Sequence, residues 1–269
     1  MMTLLSRLGM LAFLVTSQAV QAVEHLRMST TTSTENSGLM AVLHPVFEKK
    51  YDVKIDVIAV GTGKALKIGS RGDVDAVFVH APAAELQYVA SGHFIDRRAV
   101  MHNDFVLIGP KSDPAGISEA TSVEEALKRV MLSEAKFVSR GDDSGTHKKE
   151  IALWQEAGVL PVGRWYIQAG QGMGAVIKIA DEIGAYTLTD RGTQIAFEDK
   201  IDLVVLYQGD PPLFNPYHIM AVNPEKHPHA NYHMAMKYID FVTGEEGQVL
   251  IRDFRIKSQP LFYPDAIQQ

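Results

Sequence analysis

Strand-like and helix-like segments alternate along nearly the whole chain, and this alternation restricts the fold more than any other property of the sequence. Val53 to Val60 reads Val-Lys-Ile-Asp-Val-Ile-Ala-Val, the two-residue period of a half-buried strand. Further strands are expected at Leu26–Thr30, Ala76–Val79, Phe105–Gly109, Phe137–Ser139, Gly184–Thr189, Val204–Tyr207 and His218–Val222, with another extended piece starting at Trp165 and Tyr166. Helices are expected from Glu35 through Phe47, over Lys64–Ile68, Pro82–Ala90 and Thr121–Met131, from Gly145 through Trp154, and over Gly174–Glu182, Asn231–Thr243 and Glu245–Ile251. Repeated strand–helix units imply an α/β chain with largely parallel sheets. In such sheets, ligands gather beyond the carboxyl ends of the strands, where the next helices begin.

The first residues stand apart from this pattern. Arg7, the apolar run Leu8 to Val15 and the small-residue stretch Val20-Gln21-Ala22 read as a secretory signal. Residues 1–22 are therefore expected to be removed and the remainder to be periplasmic. Arg7 is the only charged residue in that segment, so 25 Lys+Arg face 32 Asp+Glu and the net charge falls from −6 to −7. An acidic balance excludes nucleic acid and anionic membrane as partners, since both need a basic face. It does not exclude a small anion, which is held by local donors. The chain has no cysteine, so its core must come from size alone.

Three strand-to-helix turns share one composition: Thr30-Thr31-Thr32-Ser33-Thr34, Gly61-Thr62-Gly63-Lys64 and Ser139-Arg140-Gly141-Asp142-Asp143-Ser144-Gly145-Thr146. Each puts hydroxyls and unpaired backbone N–H groups at a helix start, where the partial charge is positive. Such ends attract anions. A lone Ser or Thr there is ordinarily an N-cap. Three such turns, one with an embedded Arg140, exceed what capping requires. Arg140 adds a planar fork of donors and a full charge.

The spacing of Arg140 from Ser144-Gly145-Thr146 resembles the oxyanion loop of the phosphate-, molybdate- and tungstate-type solute-binding proteins. The Thr-Thr-Thr-Ser segment, the Gly-Thr-Gly-Lys turn and Gly170-Gln171-Gly172-Met173-Gly174 resemble the tungstate-binding members in particular. The resemblance covers nearly all of the chain after residue 22. It implies a two-lobed (type II) periplasmic binding protein with a mixed, largely parallel sheet in each lobe and a hinge between them. Residues 23–104 and 216–269 would form lobe one and residues 105–215 lobe two. It also implies high-affinity binding of tungstate and delivery to the membrane permease of an ABC transporter, by a monomer without cofactor, metal or enzymatic activity.

Carried over by motif, Thr32 and Ser33, Thr62, and Arg140, Ser144 and Thr146 would hold the oxyanion. Which of Thr31 and Thr32 faces inward stays open, as does the part played by His80 and by the Gly170–Gly174 stretch. Phosphate binders offer an Asp to the anion's proton in a segment that here looks like Val79-His80-Ala81-Pro82. A fully ionised oxyanion wants donors only. Asp142 and Asp143 keep phosphate as an alternative, and molybdate matches tungstate in charge and nearly in size. The resemblance alone separates the pair: molybdate binders often use only neutral donors, so by that likeness Arg140 leans toward tungstate.

Other motifs carry less. Gly63-Lys64 lacks P-loop spacing, with Ile58 where the first glycine should stand. Gly170, Gly172 and Gly174 fall one residue short of the dinucleotide pattern. Asp143-Ser144-Gly145 leaves a secreted serine hydrolase as the rival from another class, with His147 three residues from Ser144. His227, His229 and His233 read as solvated surface residues in preference to a metal site.

Overall fold

The computed structural model describes residues 23–142 and 144–266. The expected signal segment and Asp143 therefore lie outside the described residues. No helix among those described is long and apolar enough to cross a membrane.

The chain opens with β1 (Glu24–Thr31), α1 (Thr32–Asn36), α2 (Met40–Tyr51), β2 (Val53–Val60), α3 (Thr62–Ser70), β3 (Ala76–Val79) and α4 (Pro82–Ala90). The long strand β4 (Phe94–Gly109) leads into α5 (Val123–Leu132), β5 (Phe137–Ser139), α6 (Gly145–Glu156), β6 (Tyr166–Gln168), α7 (Met173–Ile183), β7 (Thr187–Asp190), α8 (Arg191–Phe197) and β8 (Val204–Tyr207). The chain returns along β9 (Phe214–Val222). It closes with α9 (Tyr232–Thr243), α10 (Glu245–Asp253) and the short strands β10 (Arg255–Ile256), β11 (Gln259–Pro260) and β12 (Tyr263–Pro264).

One sheet runs β12-β4-β9-β3-β1-β2, and β7 and β8 flank the far end of β4. Alternation along each strand sorts its side chains between two cores. Leu26 and Met28 of β1, Ala76 and Phe78 of β3, and Tyr217, Ile219 and Ala221 of β9 join α2 and α9 on one face. Val77, Val79, Met220 and Val222 join α3 on the other. Beyond Asp104 the same strand β4 feeds a second pair of cores. Phe105 and Leu107 pack with α5 and Trp154, while Val106 and Ile108 pack with α7. Burial on both faces explains why β3 and the ends of β4 and β9 read as continuous apolar runs.

Several expectations are corrected or extended. The sheets are mixed but not largely parallel: β1 runs parallel to β2 and β3, and β5 to β6, but β9 runs antiparallel to β3 and β4, and β7, β8 and β12 run antiparallel to β4. Apolar periodicity reports burial and carries no strand direction. The helix expected from Glu35 is two helices. α1 starts at Thr32, three residues earlier, and Gly38 at φ +83° separates it from α2; that left-handed conformation suits glycine. Helix α8 was not expected. The histidines near the end also do more than face solvent: Nε2 of His227 bonds the Ser70 carbonyl and Nε2 of His229 the Gly72 carbonyl, docking this segment on the end of α3.

The β10–β11 hairpin turns on Lys257 and Ser258, both in the left-handed region. Such two-residue turns ordinarily use Asn or Gly. Its side chains reach the segment after α8. Lys257 pairs with Asp199 and lies 3.7 Å from Glu198, and Gln259 Nε2 donates to Glu198 at 2.8 Å.

Candidate functional site

The parallel pairings set the carboxyl ends of three strands side by side. Thr31 is the register partner of Val60, and Thr30 of Phe78, so α1, α3 and the His80 segment all start from one sheet end. The same holds past β4. Ser139 is the register partner of Gln168, and Phe137 bridges in parallel to Tyr186, so the Arg140 turn, the Gly170 loop and the start of α8 emerge together. A cavity of about 740 Å³ opens between these two groups of strand ends. Its wall includes Thr32, Ser33, Thr62, Arg140, Ser144 and Thr146, so all six residues expected to hold an oxyanion share one cavity.

Local structure explains each position. Thr31 is buried and is the N-cap of α1, its Oγ1 accepting the Thr34 amide at 3.2 Å. Its hydroxyl is also 2.6 Å from Thr34 Oγ1 and 3.0 Å from Ser33 Oγ. Thr32 and Ser33 follow on the exposed side of that turn. Both Thr31 and Thr32 line the cavity, Thr31 as a cap and Thr32 as the more open side chain. α3 starts at Thr62 after Gly61, which has no side chain to cap it, and its first turn has no acid. Its leading amides are left for a guest. α7 starts in the same way after Gly172, and its first residue, Met173, is on the cavity wall.

The Arg140 turn is pre-organised. Arg140 donates Nε and Nη2 to Asp142 Oδ2 at 3.1 and 2.5 Å, and the Ser144 amide donates to Asp142 Oδ1 at 3.2 Å. Desolvation pushes the Asp142 carboxyl up, but bonds from Ser144 and Arg140 outweigh it and hold the group below its ordinary range. Ser144 caps α6, its Oγ accepting the His147 amide at 3.2 Å. Gly141 sits at φ +58°, and an added Cβ would come within 2.9 Å of Gln168. The amides of Ala169 and Gln171 donate to the carbonyls of Ser139 and Arg140, tying this turn to the Gly170 loop. Behind it, buried Glu150 accepts from Trp154 Nε1 at 3.1 Å and from Tyr166 Oη at 2.7 Å. Desolvation dominates there and raises the Glu150 carboxyl.

Further residues of the cavity lie outside the six expected to hold an oxyanion, His80 among them as the one left open. Asn103 of β4 and Asn215 of β9 are register partners between the two groups of strand ends, and Asn215 Nδ2 donates to Asn103 Oδ1 at 2.8 Å. His80 stacks on Tyr217, with ring centroids 4.6 Å apart, and its Nδ1 is 3.0 Å from Asn215 Oδ1. Asp190 caps α8, accepting the Thr193 amide on Oδ1 at 2.9 Å and the Thr193 hydroxyl on Oδ2 at 2.6 Å. Asp190, Gly192 and Thr193 also face the cavity. Asp190 with Thr193 is a cap signature legible in sequence. The two asparagines had no such signal, being polar residues within extended runs.

The wall is thus rich in hydroxyls, helix-start amides and one guanidinium, a donor set suited to an oxyanion. A family model for the PBP superfamily domain matches residues 16–246. The tungstate-binding protein TupA of Peptoclostridium acidaminophilum is 42% identical over 93% of this chain and 88% of its own length. Among solved structures, the tungstate ABC transporter from Geobacter sulfurreducens is 61% identical, with a TM-score of 0.76 over 87% of this chain and all of that one. The tungstate-binding protein TupA from Desulfovibrio alaskensis G20 is 42% identical, with a TM-score of 0.86 over 91% of this chain and all of that one. By fold, by donor set and by likeness over most of its length, this chain belongs to the PBP superfamily, in the family of the tungstate-binding proteins.

Proposed function

We propose that this chain binds tungstate outside the cytoplasm and delivers it to the permease of an ABC transporter, acting as a periplasmic monomer without cofactor, metal or catalysis. The observation that carries this reading is the convergence of Thr32, Ser33, Thr62, Arg140, Ser144 and Thr146 on one cavity from three separate turns. Each hydrogen bond to a charged guest is worth roughly 1.5–3 kcal/mol. Six to eight of them would offset ordering costs and leave about −12 kcal/mol, in the nanomolar range. Arg140 alone would not offset the desolvation of a dianion.

Lobe one would hold residues 23–104 and 216–269, lobe two residues 105–215, with β4 and β9 as the hinge strands of a type II binding protein. The change of core partners along β4 after Asp104 supports this division. So does the mismatch between identity and superposition, since the 61% identical structure superposes less well than a 42% identical one. Two rigid lobes at differing angles would give that pattern. An anion touching both lobes would favour the closed state.

Molybdate shares the charge and shape that this cavity suits. Asp190 favours one further reading, because a carboxylate on the wall could accept the proton of phosphate; its oxygens are already occupied by Thr193, which weighs against it. Ser144 serves as a helix cap, and no relative described above supports a hydrolase. Competition calorimetry with tungstate, molybdate, sulfate and phosphate tests the proposal. Tungstate should bind tightest, and preference for phosphate or sulfate would overturn it.

A further inference from the structure

A hydrogen-bond chain runs through the floor of the cavity to the first turn. Asn215 Nδ2 is directed to Asn103 Oδ1 at 2.8 Å and to the Tyr217 hydroxyl at 3.4 Å, so Asn215 presents its carbonyl oxygen to His80. His80 Nδ1, 3.0 Å away, must then carry a hydrogen. The other ring nitrogen, Nε2, lies 3.2 Å from Thr31 Oγ1 and 3.3 Å from Ser33 Oγ. In the neutral ring Nε2 can only accept, so it takes a hydroxyl hydrogen from this turn. In the protonated ring Nε2 donates, and that hydroxyl is free to turn its hydrogen toward a guest.

We propose that His80 is a proton-linked positioning residue, which takes up a proton as a dianion binds and thereby turns the Thr31 or Ser33 hydroxyl toward it. This rests on the tungstate reading above. Burial holds the imidazole below its ordinary value, against the opposing effects of Asn215, Glu85 and Asp190, so the unliganded ring is neutral at neutral pH. The groups around it are few. Tyr217 covers one face of the ring, Asp190 and Arg140 line the same cavity with opposite charges, and Glu85 in the first turn of α4 is buried against Arg97 and His218. A dianion beside the ring favours the imidazolium. By linkage, binding then draws in a proton, and affinity falls as pH rises.

The test is calorimetry with sodium tungstate in two buffers of different ionisation enthalpy, from about pH 6 to pH 8, where an unperturbed imidazole titrates. The intact protein should take up a measurable fraction of a proton, and its affinity should fall roughly fivefold across that range, below the limit of about tenfold per pH unit for one proton. His80→Gln keeps a polar group in reach of the hydroxyls but cannot titrate. It should bind with no proton exchange and a flat pH profile. Zero proton uptake by the intact protein would overturn the proposal, as would His80→Gln retaining the same uptake, which would point to Asp190. Should His80→Gln fail to fold, Asp190→Asn takes its place: uptake that survives this change keeps the proton on the imidazole, and uptake lost with Asp190 would overturn the proposal. Absence of tungstate binding at every pH would remove the functional reading itself, an outcome distinct from pH-independent binding.

Discussion

Arg140 Nη2 lies 2.5 Å from Asp142 Oδ2, two residues further along the same turn, and both side chains are about four-fifths buried. The carboxylate holds the guanidinium in place before any guest arrives. It uses Nε and Nη2 and leaves the Nη1 hydrogens out of that pair. A planar fork can keep its neighbour on one edge and offer another edge to an oxyanion.

Arg140→Ala should therefore weaken tungstate binding by more than about 2 kcal/mol, roughly thirtyfold. Arg140→Lys should also bind poorly, because a point charge cannot serve two edges. Calorimetry showing full affinity and selectivity in the Lys variant would refute planar recognition.

Glu150 anchors the layer beneath this turn. Removing its carboxylate takes away the one oxygen to which both Trp154 Nε1 and Tyr166 Oη are bonded. Glu150→Ala should cost about 3 kcal/mol of folding stability, from two buried donors at roughly 1–3 kcal/mol each. Urea denaturation measures it, and a loss below about 1 kcal/mol would mean that water replaces the carboxylate.

His44 gives a pH dependence of folding. Its Nε2 is buried without a partner, and desolvation, opposed by Glu48, pushes its pKa down to about 4 from 6.5. The fold favours the neutral ring, so above pH 6.5 the group has no effect. As pH falls from 6.5 toward 4, the unfolded chain gains the proton first, and stability drops by up to about 3 kcal/mol. His44→Leu should remove that drop. Equal acid sensitivity of the two proteins in urea melts at about pH 7 and pH 4.5 would show that His44 is not its source.

The β10–β11 hairpin reaches across the two core systems, with Lys257 and Gln259 on one side and Glu198 and Asp199 on the other. These contacts should restrain the angle between the proposed lobes. Lys257→Ala combined with Gln259→Ala should enlarge the unliganded protein in small-angle X-ray scattering and leave the tungstate-bound form unchanged. An identical radius of gyration for the unliganded variant and its parent would show that the hairpin restrains nothing.

By itself the sequence determined the alternation of strands and helices and the three donor turns. These are local properties: a period of two or of 3.6 residues, and hydroxyls or an arginine at a helix start. β2, β3, α4, β5 and β8 begin and end where the pattern places them. Tertiary structure decided what depends on partners distant along the chain. It set the antiparallel course of β9, the pairing of Asn103 with Asn215, and the approach of His80 Nε2 to Thr31. It also brought Asp190 and Thr193 to the same cavity. Side-chain periodicity reports which face of a strand is buried. It is silent on which neighbour pairs with that strand and in which direction, and so on which polar groups meet across the cavity floor.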